Sequence, residues 1–189
     1  ALEHPELNHV GIELSWAGAT RLFKRLNKNG TQNAKALLVD AEVALGHLFR
    51  SESLARTFVI HPCPWPKARH MDRRVLNPAG LAQLATRMAM GSTLTVIPDH
   101  AEYAEWLGEV LRSQETLQSI HPTVEVGEIP GHQPTKYQLK AMAQGIPIHF
   151  FEFQKALETH APDPQSIDPS FMPSINLSGS FDQIGRAHV

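Results

Sequence analysis

The sequence predicts an α/β fold built on a doubly wound, mostly parallel sheet. Three observations carry that expectation. Short apolar runs alternate with segments of helical periodicity at close spacing. Acidic residues (Glu13, Asp40, Asp99) follow three of the runs, at the carboxyl ends where such sheets place their ligand contacts. A further run, Thr57 to Ile60, stops in Pro62, Pro64 and Pro66 and passes into a cluster of cations. Proline fixes φ and donates no backbone hydrogen bond, so a strand has to end there.

Taken in order, Asn8 to Leu14 reads as a short buried strand closing at Glu13. Ala17 to Asn29 reads as a helix. Ala19, Leu22, Phe23 and Leu26 form its apolar stripe, and Arg21, Lys24, Arg25 and Lys28 its wet face. Gly30 suits the C-terminal cap. Ala34 to Val39 is the second strand, and Ala41 to Phe49 a short helix that Asp40 can cap. Thr57 to Ile60 is the third strand. Pro78 to Met90 is expected to be helical, with proline in its first turn. Thr93 to Ile97 is a fourth strand, His100 to Arg112 a helix, Pro134 to Gln144 another, and Ile146 to Phe153 the last strand.

The chain of 189 residues is long enough for one domain with a sizeable core. The division expected is a folded domain over 1–155 and a Pro/Ser-rich tail, read as disordered, over 156–189. The last six residues, Ile184 to Val189, look like translated sequencing adapter. Because the first residue is Ala1 rather than Met, a gene model clipped at both ends is expected. A net charge of −2 and a pI near 6.6 exclude a globally basic nucleic-acid binder, so any such contact must be a local patch. The single cysteine excludes an internal disulfide and suits a reducing cytoplasm. No apolar run approaches the roughly 20 residues of a membrane helix. The eleven histidines show no metal-ligand spacing, and His61, Cys63 and His70 lack a second Cys–His pair, so no metal site is expected.

Several residues are candidates for chemistry. Glu13, at a strand end, suits ribose hydroxyls because a carboxylate accepts two hydrogen bonds; a solvated strand end is the plainer reading. Asp40 and Ala41 sit where an adenine edge would lie, although Asp40 is equally a helix cap. Lys67, Arg69, Arg73 and Arg74 put four cations within eight residues beside Trp65, which suits phosphate contacts. Cys63 is open to reading as nucleophile, ligand or inert small residue.

The pattern PxPWPKxRHxxRR at 62–74, with Asp99, AEYAEW at 101–106 and TKY at 135–137, resembles the bacterial tRNA (guanine-N7)-methyltransferases. GIE at 11–13 and DAEVAL at 40–45 fit the same register, and the similarity runs from about Pro5 to Lys155. That resemblance implies a class I, Rossmann-like sheet that binds S-adenosylmethionine and methylates N7 of a guanine in tRNA, in the cytoplasm, as a monomer or homodimer. It implies cofactor contacts from Glu13, Asp40 and Ala41. It implies substrate contacts from Lys67, Asp99, Thr135, Lys136, Tyr137 and Gln138, and RNA backbone contacts from Arg69, Arg73 and Arg74.

The sequence departs from the family pattern in three ways. The first strand and the glycine-rich cofactor loop are absent, which leaves the strands at Asn8 and Thr57 without a common neighbour. A chain so built is not expected to form a stable, cofactor-competent domain alone. Cys63 stands where the family has its catalytic-site Asp, and Gln138 where it has Glu. The alternatives to a weakened enzyme are a non-catalytic RNA-binding paralogue and a related methyltransferase with another substrate.

Overall fold

The computed structural model describes residues 1–159. The chain forms β1 (His9–Glu13), α1 (Trp16–Lys28), β2 (Ala34–Leu38), α2 (Ala41–His47) and β3 (Leu54–Ile60). A 3₁₀ turn (Ala68–Arg73) leads to α3 (Pro78–Arg87), β4 (Met88–Ile97) and α4 (Ala101–Arg112). The last elements are β5 (Leu117–Ser119), β6 (Glu125–Val126), α5 (Lys136–Ala143) and β7 (Phe150–Lys155).

The alternation read from the sequence is present, and β1–β2 and β3–β4 are parallel pairs joined by helical crossovers. β7 lies antiparallel between β4 and β5, and β6 pairs with β7. An antiparallel edge on a parallel nucleus is common in large α/β sheets. The pairing falls into two pieces, β1–β2 and a five-stranded sheet. Among the described residues, β1 is bonded only to β2 and β3 only to β4. Val10 on β1 (44%) and Phe58 (57%) and Ile60 (39%) on β3 are left exposed. Apolar strand residues in that state mark a face the described chain does not cover.

Three boundaries differ from the sequence reading. α3 stops at Arg87 rather than Met90, because Met88 turns extended (ψ 135) and begins β4 opposite Leu54. The residues 88–90 extend an apolar helical stripe, so periodicity alone cannot find the switch. β3 starts at Leu54, with a register shift between Leu54 and Arg56. The last strand occupies Phe150–Lys155, and β5 and β6 are too short to carry a periodic signal.

The core lies between the five-stranded sheet and α3 and α4. Leu81, Leu84, Met88, Leu94, Val96, Tyr103, Leu107, Leu111, Phe151 and Phe153 are its buried centre. Gly108 belongs there for space, since a Cβ would sit 3.3 Å from Phe151 Cε1. Two buried cations are satisfied by backbone. Arg87 Nε donates to Leu45 O (2.9 Å), tying α2 to α3, and Lys155 Nζ donates to Met88 O (2.9 Å) with Glu52 3.3 Å away. Residues 156–159, placed by sequence in the tail, are still attached: Ala156 N–H donates to Thr116 O and the Thr159 hydroxyl to Ala85 O. The tail expected over the rest of 156–189, including the adapter-like 184–189, lies outside the described residues. No helix among the described residues is long and apolar enough to cross a membrane.

Candidate substrate and cofactor site

The carboxyl ends of the parallel strands carry the candidate residues, and each is held by local chemistry. At the end of β1, Glu13 is half-buried and Oε1 accepts from Ser15 N–H (2.8 Å) at the entry to α1. α1 can pass that close because residue 18 is glycine: a Cβ there would lie 2.5 Å from Glu13 Oε2. Oε2 itself has no hydrogen bond among the described residues. At the end of β2, Asp40 caps α2 through Oδ1, which accepts from Glu42 N–H (2.8 Å), with Ala41 opening the helix. The cap reading of Asp40 therefore holds, and Oδ2 remains for a ligand.

The proline loop leaves β3 in strained backbone. His61 and Trp65 adopt left-handed φ (52° and 40°), a conformation that non-glycine residues take only where surrounding structure enforces it. Cys63 is an exposed free thiol on this loop. Lys67, Arg69 and Arg73 are also exposed. Arg73 lies over the Trp65 ring (5.4 Å to the centre), and His70 meets the same ring edge-on.

Arg74 is placed differently from the sequence reading. Its side chain is buried (6% exposed), so it does not reach an RNA backbone. Nε donates to Pro64 O (2.8 Å) and Nη2 to Trp65 O (3.4 Å), and the guanidinium stacks over Trp106 and Tyr103. Two carbonyls that the proline loop cannot pair with its own donors are satisfied by this arginine. A local run of cations gives no sign of which member turns inward.

Gln138 is the second correction. It is 1% exposed and its amide is occupied: Oε1 accepts from Thr135 N–H (2.8 Å), and the amide also contacts His132. With Thr135 Oγ1 accepting from Gln138 N–H, this is a capping box at the start of α5. A capping box takes Glu or Gln at this position, so Gln138 is a helix cap and not a substrate contact.

Thr135, by contrast, faces the site. His61 Nε2 lies 3.2 Å from Thr135 Oγ1, and His61 Nδ1 lies 3.6 Å from Asp99 Oδ2 at the end of β4. The Tyr137 ring meets His61 edge-on, and Lys136 lies over Tyr137. Asp99, Thr135, Lys136 and Tyr137 thus come together around His61, beside the proline loop. Sequence reasoning passed over His61 except as a metal ligand; its position at a strand end immediately before Pro62 was the available signal. Glu13 and Asp40 share no hydrogen bond with this cluster. Beneath it, burial pushes the Tyr103 hydroxyl up to about 12, with Arg74 opposing and Cys63 adding to the rise. No group of three or more metal-ligating side chains occurs among the described residues.

A parallel α/β nucleus with carboxylates at three strand ends and a basic, proline-locked loop at a fourth is the arrangement in which doubly wound sheets hold their ligands. The fold is similar to an rRNA methylase from Streptococcus thermophilus, with a TM-score of 0.52 and 13% identity over 79% of this chain and 74% of that one. At that identity the likeness speaks for the fold alone. The chain belongs to a methyltransferase family, described as "Putative methyltransferase", whose model matches residues 1–151. It is 39% identical over 121 residues to a tRNA (guanine-N(7)-)-methyltransferase of Nocardia farcinica, covering 64% of this chain and 45% of the relative. It is 32% identical over 156 residues to the protein of that name from Nitrosomonas europaea, covering 82% and 69%. The chain thus spans between about half and about two thirds of these relatives' length.

Proposed function

We propose that this protein transfers a methyl group from S-adenosylmethionine to N7 of a guanine in tRNA. The observation that carries the reading is the convergence of Asp99, Thr135 and Tyr137 around His61, beside the exposed cations Lys67, Arg69 and Arg73. A hydrogen-bonding pocket for a base then sits against a rim for phosphates. A tRNA substrate implies work in the cytoplasm.

Oε2 of Glu13 and Oδ2 of Asp40, without hydrogen bonds among the described residues, fit a ribose diol and an adenine edge, so these residues, with Ala41, would hold the cofactor's nucleoside. When bound, the cofactor would supply an electrophilic methyl group on a sulfonium, with the neutral thioether as the leaving group. Guanine N7 already carries an in-plane lone pair, so the protein need not remove a proton. Its task is to hold the ring in line and keep water out. Asp99 and Thr135 can accept from the N–H edge of guanine, Tyr137 offers a ring face, and Lys67, Arg69 and Arg73 can neutralise backbone phosphates.

Cys63 supports a second reading. Where the resemblance places an aspartate, a neutral thiol offers only a weak acceptor. Losing one charge-assisted bond costs about 1.5–3 kcal/mol. That leaves a slow enzyme, or an RNA-binding protein without transfer. Labelled S-adenosylmethionine and unmodified tRNA, incubated with the full-length protein, decide it. 7-Methylguanosine at one position supports the enzyme. Salt-sensitive tRNA binding without transfer supports the binder.

A further inference from the structure

We propose that His61 is a positioning residue that fixes the Thr135 hydroxyl as a hydrogen-bond acceptor and so favours guanine over adenine. The inference rests on the reading of Thr135 as a base contact. It begins with the two nitrogens of the imidazole. Nδ1 is buried, has no hydrogen-bond partner among the described residues and lies 3.6 Å from Asp99 Oδ2. A lone pair aimed at a carboxylate is repelled, whereas a proton there is attracted, so the N–H belongs on Nδ1. Nε2 of the neutral ring is then an acceptor.

Among the described residues, the hydroxyl within reach of Nε2 is Thr135 Oγ1, at 3.2 Å, which must donate. Oγ1 also accepts from Gln138 N–H (3.2 Å). Its single proton and one lone pair are therefore used, and what remains toward a ligand is a lone pair. An unrestrained threonine hydroxyl rotates to donate or accept as its partner requires. Here it can only accept. At positions 1 and 2 of its Watson–Crick edge guanine presents N1–H and the 2-amino group, while adenine presents an acceptor at N1 and no amino group at C2, its one amino donor lying at C6. A site restricted to accepting there rewards the first and leaves the second facing two lone pairs. The left-handed backbone of His61 (φ 52°), held by its own N–H donating to Ile97 O (2.8 Å), aims the ring between the ends of β4 and α5.

Nitrogen-15 NMR of the full-length protein, with the His61 signals assigned by their loss in His61→Gln, reads the tautomer directly. The expected result is a protonated Nδ1 and an unprotonated Nε2; protonation at Nε2 overturns the proposal. Kinetics on tRNA carrying guanine or adenine at the target position read its consequence. His61→Leu should lower the guanine-to-adenine ratio of kcat/KM roughly tenfold, the size of one lost hydrogen bond. His61→Gln, whose amide oxygen can accept from Thr135, should restore part of it. An unchanged ratio in His61→Leu overturns the specificity role even if the tautomer is as expected. Should His61→Leu fail to fold, the wild-type tautomer and His61→Gln still decide. Absence of any transfer by wild type would refute the proposed function, and the tautomer would still test His61 by itself.

Discussion

The Arg74 guanidinium carbon lies 4.2 Å from the centre of the Trp106 ring. The same side chain donates to the carbonyls of Pro64 and Trp65. One residue of the basic run therefore anchors the loop from inside, and its neighbours Arg69 and Arg73 stay outside. That division makes stability and the proposed RNA affinity separable by mutation.

Arg74→Lys should destabilise the fold by about 1.5–3 kcal/mol. Lysine keeps the charge but loses the fork that reaches two carbonyls and the flat face that stacks on Trp106. Arg69→Ala and Arg73→Ala, at exposed positions, should stay within about 0.5 kcal/mol of wild type. Urea unfolding of the three variants checks this; equal losses would mean that the burial of Arg74 has no energetic consequence.

RNA binding should show the opposite ranking. Removing Lys67, Arg69 or Arg73 should each reduce the slope of log K against log salt by about 1. Arg74→Lys should leave that slope unchanged wherever the protein is folded. Filter binding to tRNA across a salt series reads it. A slope change confined to Arg74 would contradict its inward placement.

Gln138→Glu should change tRNA methylation less than twofold, a range of roughly 0.4 kcal/mol, because glutamate and glutamine both complete a capping box. Gln138→Ala should cost about 0.5–2 kcal/mol of stability, since the Thr135 N–H then loses its acceptor. Comparison of the two by thermal unfolding and by methylation rate separates capping from substrate contact. A large gain in rate from Gln138→Glu would return this residue to the substrate.

Cys63→Asp should raise guanine methylation by about 10–100-fold, the value of one charge-assisted bond restored. The thiol is exposed, so the carboxylate meets little desolvation. Single-turnover transfer on tRNA is the measurement; no gain in an otherwise active protein would favour a different substrate.

Much of this was legible in the chain. The alternation of strands and helices, the strand-end carboxylates and the rigidity of the proline loop follow from residue types and spacing. What was not legible depended on tertiary partners. Arg74 and Arg73 are identical in type and adjacent, and only packing on Trp106 and Tyr103 distinguishes them. Met88–Met90 continue an apolar helical stripe, and the pairing of Met88 with Leu54 turns them into strand. Thr135 and Gln138 have capping-box spacing, and a resemblance to substrate contacts hid it. His61 gains its proposed role only when β4 and α5 bring Asp99 and Thr135 to the two nitrogens of its ring.

Tyr103 gives an alkaline signature. Its hydroxyl is buried without a hydrogen-bond partner among the described residues, and burial raises its pKa to about 12 from an ordinary value of 10. In the unfolded chain it ionises near 10; in the folded protein the proton stays on. Between those values the unfolded state binds fewer protons than the native state, so stability falls as pH rises. The decline begins near pH 10 and is complete by about pH 12, and at 1.36 kcal/mol per unit it amounts to about 2–3 kcal/mol. Tyr103→Phe removes both the titration and the unsatisfied hydroxyl while keeping the ring under Arg74. It should be neutral or up to about 1 kcal/mol more stable at pH 7, and should flatten the decline above pH 10 relative to wild type. Urea midpoints from pH 7 to 11 for both proteins test it. A parallel decline in the two would show that the alkaline loss comes from other groups.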